Sequence, residues 1–276
     1  MTTATKELQA GASTRWRDDR YVTTWQRFDD VVGASQQHLL ERLSDFPDSV
    51  LVTGCQRSGT TMLSRVIQAS DQMTSYCFGP DDELDAALLL SGYVEHAPQG
   101  RYCFQTTYLN ERYGEYFEHP ADNKIIWVLR NPAAVVRSML GNWEDSALTR
   151  VFESCGAPHA DRFDGLAYRL FGTGGVSRER QACWSYYGKL RQLFELKRRR
   201  PENTLLVIDY DDLVLQPSRT LRTVFDFIAV PWLERYAAPI HQRSVRPALP
   251  PRNRPGAAWG RCLAIYEESR ALIQPS

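Results

Sequence analysis

The chain lacks a net charge. Its 33 basic residues balance 33 acidic ones over 276 positions. No global field therefore draws it to nucleic acid or to an anionic membrane, and any anion site must be local. Paired cysteines are missing too. Cys55, Cys77, Cys103, Cys155, Cys183 and Cys262 form no C-x-x-C unit, which argues against zinc, and six are too sparse for a disulfide scaffold in a chain this long. No segment approaches the ~18 consecutive apolar residues that would span a bilayer. The first thirty residues hold no apolar run suited to a signal peptide. Internal repeats and low-complexity tracts are absent. A cytoplasmic enzyme is expected.

What is present suits a folded α/β protein. Hydrophobic residues make up 43% and charged residues 24% of the chain, an ordinary globular balance with ample material for a core. Residues 1–20 are polar and read as a flexible arm. VVGASQQHLLERL (31–43) has apolar residues at helical spacing, ended by Pro47. SVLVTG reads as a buried strand, and MTSYCF (73–78) and RYCFQTTYL (101–109) as two more. KIIWVLRNP (124–132) and TLLVIDYDDL (204–213) carry the clearest buried strands. Helical segments lie between them, which predicts a three-layer α/β fold with a central, mostly parallel sheet of about five strands flanked by helices. We expect one domain over 1–276. Residues 141–175 lack a strong strand and read as helices and loops covering the active edge.

The chemistry concentrates in LVTGCQRSGTTMLSRVIQ (51–68). Gly54, four residues and Gly59 nearly spell the phosphate loop G-x-x-x-x-G-K-[ST], but Thr60 stands where the lysine belongs. A strand followed by a glycine-rich turn and a helix aims backbone N–H groups at one spot, and the helix adds its positive end. Ser58, Thr60 and Thr61 add hydroxyls. Arg57 adds a permanently charged planar fork. A turn that only joins strand to helix would not need this set of donors.

KIIWVLRNPAAVVRSML repeats the layout. Arg130 lies at a strand's carboxyl end, where open α/β sheets bind ligands, and Ser138 follows eight residues on. Two anion sites at neighbouring strand ends imply a ligand with phosphates at two positions.

Together the two motifs resemble the sulfotransferases that use 3′-phosphoadenosine 5′-phosphosulfate (PAPS), and CQRSGTT is similar to the arginine variant of bacterial and carbohydrate-type members. The likeness extends through LLVIDYDDLVLQP and TLRTVFDFIAV to the Trp259 helix, roughly residues 48–270. It implies a P-loop-like fold and transfer of a sulfuryl group from PAPS without a metal. The first loop (Arg57, Ser58, Gly59, Thr60, Thr61) would grip the 5′-phosphosulfate, with Arg57 stabilising the departing oxygen. Arg130 and Ser138 would grip the 3′-phosphate. Arg252, or its neighbour Arg254, resembles the family's closing basic element.

The general base departs from the family pattern. Gln105 and Thr107 stand where cytosolic members carry Lys and His. Other members place a Glu about twenty residues beyond the loop arginine, and here the first carboxylates are Asp81, Asp82 and Glu83. Asp81 is the first choice, with Asp82 and Glu83 as alternatives. The competing reading makes this trio a helix-start charge cluster. His96 and His119 are candidates by composition alone. Aromatic residues and the absence of a basic groove in 84–120 and 141–175 suggest a small hydroxylated or lipid acceptor rather than a polyanionic glycan. The other function classes are a nucleotide kinase or NTPase with a degenerate phosphate loop, with Asp209 as its acid, and a non-catalytic nucleotide-binding relative.

Overall fold

The computed structural model describes residues 15–16, 22–33, 38–119, 123–240 and 256–273. In chain order the main elements are β1 (Arg15–Trp16), α1 (Trp25–Phe28), β2 (Val50–Gly54), α2 (Thr60–Gln68), α3 (Asp82–Leu90), β3 (Val94–Glu95), β4 (Cys103–Gln105), α4 (Glu115–Glu118) and β5 (Lys124–Leu129). They continue as α5 (Pro132–Asn142), α6 (Asp145–Val151), α7 (Arg162–Phe171), α8 (Arg178–Arg199), β6 (Leu205–Asp209), α9 (Tyr210–Leu215), α10 (Pro217–Phe227) and α11 (Ala257–Arg270).

Four strands form a parallel sheet in the order β4-β2-β5-β6. Every residue of β2 and β6 is buried, as strands covered on both faces must be. Alternate residues then feed opposite cores. Leu51, Phe104, Trp127 and Val207 pack with α3, α5, α8 and α11. Val50, Val52, Ile126 and Ile208 pack with α2, α9 and α10. The expected three layers follow from this alternation.

Among the described residues the sheet has four strands, where about five were expected. MTSYCF takes no regular structure and joins neither sheet. Thr74 N–H donates to Arg101 O at 2.7 Å, just ahead of the edge strand, and the Tyr76 hydroxyl accepts from Gln105 N–H of that strand. The strand expected over 101–109 closes at Gln105, where Thr107–Glu111 turn into a 3-10 helix. The expected helix over 31–43 is broken. A π-helical turn spans Asp29–Gly33, residues 34–37 lie outside the described residues, and Leu39–Arg42 form turns. Within the expected arm, Arg15–Trp16 pair antiparallel with Val94–Glu95.

Residues 141–175 hold α6, a π-helical turn Phe152–Gly156 and α7. Asp164 ties α7 to α8. Its carboxylate is buried and accepts from Arg180 Nη1 and Trp184 Nε1, each at 2.8 Å. Trp184 therefore belongs to the core. Asp164→Ala would strand a buried indole N–H, and should cost about 2 kcal/mol in urea unfolding; a loss under ~0.5 kcal/mol would show that α7 is held by other contacts.

Candidate active site

The first anion turn is held by close backbone approach. Gly59 has a φ of 91°, and a Cβ there would lie 2.3 Å from the Tyr210 ring. A Cβ on Gly54 would lie 2.6 Å from Val128 O on the neighbouring strand. Glycine is thus required at both ends of the turn. Between them Arg57 takes a φ of 71°, a left-handed conformation that costs a non-glycine residue about 1 kcal/mol. Such strain clusters at functional sites.

The helix that follows, α2, starts without a side-chain cap on its first-turn amides. By contrast α3, α5 and α9 are capped by Asp81, Asn131 and Asp209. Ser58 Oγ is buried and has no hydrogen-bond partner among the described residues. A buried hydroxyl in this state fits an anion seated on the turn.

The second anion turn meets the first. Arg130 Nη1 donates to Arg57 O at 2.7 Å, and Arg57 Nε donates to Ser138 Oγ at 2.9 Å. The Arg130 guanidinium lies 4.1 Å from the centre of the Tyr210 ring, a cation–π contact. Tyr186 Oη donates to Arg130 O at 2.9 Å and fixes the turn from behind. Burial, opposed by Tyr210 and Asp211 and assisted by the Arg57 charge, lowers the Arg130 pKa. A bound anion would relieve that strain on its charge.

These residues share one cleft of about 340 Å³. Arg57, Gly59, Thr60, Thr61, Arg130 and Ser138 all line it. A second cleft of about 720 Å³ adjoins it and is lined by Trp25, Phe28, Tyr108 and Val151 among others. Arg57, Thr61, Glu83, Gln105 and Trp143 line both. The junction therefore carries a fixed cation and a carboxylate.

The three carboxylates at the start of α3 have different surroundings. Asp81 Oδ1 caps the helix, accepting from Glu83 N–H and Leu84 N–H, and its Oδ2 accepts from Trp25 Nε1 at 2.9 Å. Asp82 is buried in a two-point ion pair with Arg65, at 2.6 and 3.1 Å. Glu83 alone of the three lines both clefts, and its Oε2 accepts from Gln105 Nε2 at 3.0 Å. Burial first, and then the neighbouring Asp81 charge, push its pKa up to about 8. Lys189 opposes that rise, with an ammonium group that is buried and has no hydrogen-bond partner among the described residues.

Other candidates lie apart. His96 hydrogen-bonds Tyr102 Oη at 3.0 Å and stacks on Phe46, and His119 follows α4; neither lines the two clefts. Asp209 caps α9 and accepts from Tyr266 Oη. Thr107 Oγ1 donates to Thr60 Oγ1 at 3.3 Å and lines the smaller cleft. Arg252 and Arg254 lie outside the described residues. Among those described, no group of three or more His, Cys, Asp or Glu is placed to hold a metal ion, and no helix is long and apolar enough to cross a membrane. Tyr210 was missed by sequence reasoning. Its one signal was its place directly after the strand in LLVIDYDDL.

A family model described as a sulfotransferase domain matches residues 47–246. The chain belongs to the sulfotransferase family. Its fold is similar to the sulfotransferase domain from the curacin biosynthetic pathway, with TM-score 0.50 and 14% identity over 84% of this chain and 93% of that one. The sulfotransferase domain of the Synechococcus PCC 7002 olefin synthase gives TM-score 0.49 and 15% identity over 83% and 97%. A sulfotransferase from Alicyclobacillus acidocaldarius gives 0.47 and 17% over 83% and 97%. No curated protein matches the chain in sequence.

The turn itself is open to test. Gly59→Ala should push the Tyr210 ring away and strain φ, lowering stability by about 2 kcal/mol in urea unfolding. A neutral outcome would mean that the ring has room to move.

Proposed function

We propose that this sulfotransferase moves a sulfuryl group from PAPS to a hydroxyl or amine of a small-molecule or lipid acceptor. One observation carries the reading: a cation-lined cleft and a larger aromatic cleft share a wall containing both Arg57 and Glu83. The uncapped start of α2, with Ser58, Gly59, Thr60 and Thr61, would hold the 5′-phosphate. Arg130 and Ser138 would hold the 3′-phosphate, and Arg252 remains a proposed closing contact.

In the reaction the acceptor oxygen or nitrogen bonds to sulfur, and the bond from sulfur to the phosphate oxygen breaks. Arg57 faces the negative charge that grows on that oxygen. The acceptor's proton passes to a carboxylate. Asp81 was the first choice from sequence, but both its oxygens are engaged by the helix start and by Trp25. Asp82 is committed to Arg65. Glu83 is the better base. It lies at the junction, is oriented by Gln105, and burial with the Asp81 charge raises its pKa to about 8, which makes it a stronger base than an ordinary carboxylate. The aromatic lining of the larger cleft, with Trp25, Phe28 and Tyr108, suits an acceptor with an apolar body.

Thermal melts test the donor. Adenosine 3′,5′-bisphosphate should raise the Tm, by mass action, where ATP with Mg²⁺ does not. A shift with ATP–Mg²⁺ alone would replace this reading with a kinase or NTPase. Activity tests the base. A carboxyl group with a raised pKa is protonated below it, so kcat/KM should rise with pH through a limb near 8. Glu83→Gln should lower turnover by roughly 10²–10⁴-fold and leave bisphosphate affinity nearly unchanged. If Glu83→Gln keeps full activity while Asp81→Asn loses it, Asp81 is the base.

A further inference from the structure

The outer face of α7 is apolar and has no cover among the described residues. Phe163 is 81% exposed, Leu166 52%, Leu170 64% and Phe171 72%. The spacing i, i+3, i+7, i+8 gathers them on one side of the helix. Along one border of this stripe run Arg162 and Arg169, seven residues apart and both exposed. The only carboxylate of α7, Asp164, is turned inward to Arg180 and Trp184. The outward surface of α7 is thus apolar and cationic, its one acid within Arg162–Phe171 being turned inward and its N-cap Asp161 spent on the first-turn amides. A contiguous exposed patch of large side chains on a soluble protein marks an interaction surface.

We propose that α7 docks the enzyme on an anionic lipid surface, its phenylalanines and leucines entering the boundary layer and its arginines meeting the headgroups. Charge complementarity decides between the occupants. A second copy of the chain would meet this face through a two-fold pairing, which brings the same arginines together with no outward carboxylate from within α7 to receive them. The chain's own stretch over 241–255 carries Arg243, Arg246, Arg252 and Arg254 and no acidic residue, so it adds charge of the same sign. Anionic headgroups supply the missing sign, and acyl chains supply the apolar medium.

The helix is also joined to the acceptor side. Tyr168, on its inner face, packs edge-on against Phe152 with ring centres 5.4 Å apart. Phe152 directly follows α6, whose Ala147, Arg150 and Val151 line the larger cleft. Docking through α7 would therefore attach a wall of that cleft to the lipid surface.

The test is co-sedimentation of the full chain with vesicles. The wild type should sediment with roughly equal mixtures of phosphatidylcholine and phosphatidylglycerol, and about tenfold less with phosphatidylcholine alone. Phe163→Asp with Leu170→Asp should lower binding to the mixed vesicles at least tenfold while leaving the Tm unchanged, since both positions are exposed. Arg162→Gln with Arg169→Gln should remove the preference for the anionic lipid. Wild-type protein that ignores both vesicles overturns the proposal. So does a concentration-dependent dimer, seen by light scattering, that Phe163→Asp with Leu170→Asp disperses, because the face then serves self-association. The Tm response to adenosine 3′,5′-bisphosphate reports the nucleotide site separately, so failure of either reading leaves the other standing.

Discussion

The site depends on where one aromatic ring sits. Tyr210 leaves the end of β6 and lies between the two anion turns, with the Gly59 backbone against its edge and the Arg130 guanidinium over its face. The ring is buried and belongs to the core beneath α9 and α10. The distance between the turns is therefore set by core packing, which tolerates little slack. Val128 O, pressed against Gly54, closes the same arrangement from the neighbouring strand.

The parallel sheet makes this possible. All four of its strands run the same way, so β2, β5 and β6 deliver their turns to one edge. The capping pattern then sorts them. Where Asp81, Asn131 or Asp209 spends a side chain on the helix start, the amides are partly satisfied from within. Only the turn ending in Gly59, among these, leaves the first-turn amides without a side-chain cap.

The strands that end at this edge were legible because continuous apolar runs in KIIWVL and LLVID have few other fates. MTSYCF misled because its β-forming residues fit a pleated surface, yet its neighbour β4 is three residues long and the segment's backbone bond goes to Arg101, ahead of that strand. Arg57, Arg130 and Ser138 were legible through spacing from a strand end. The carboxylates were not. Asp81, Asp82 and Glu83 are adjacent in sequence, and a helix start turns consecutive residues about 100° apart, so one faces a tryptophan, one an arginine and one the cleft junction. No local pattern states which is which. Tyr210 was hidden for a similar reason, since its importance lies in contacts 80 and 151 residues away.

The hydrogen bond from Arg57 to Ser138 has a thermodynamic consequence. Long arginine side chains lose much rotamer freedom when a ligand fixes them. Here the Arg57 guanidinium is already held by Ser138, and its carbonyl by Arg130. Much of the ordering has been completed during folding. An incoming anion exchanges one set of partners for another and does not have to freeze two solvated cations, so its affinity reflects the difference between hydrogen bonds more than the entropy of assembling the site.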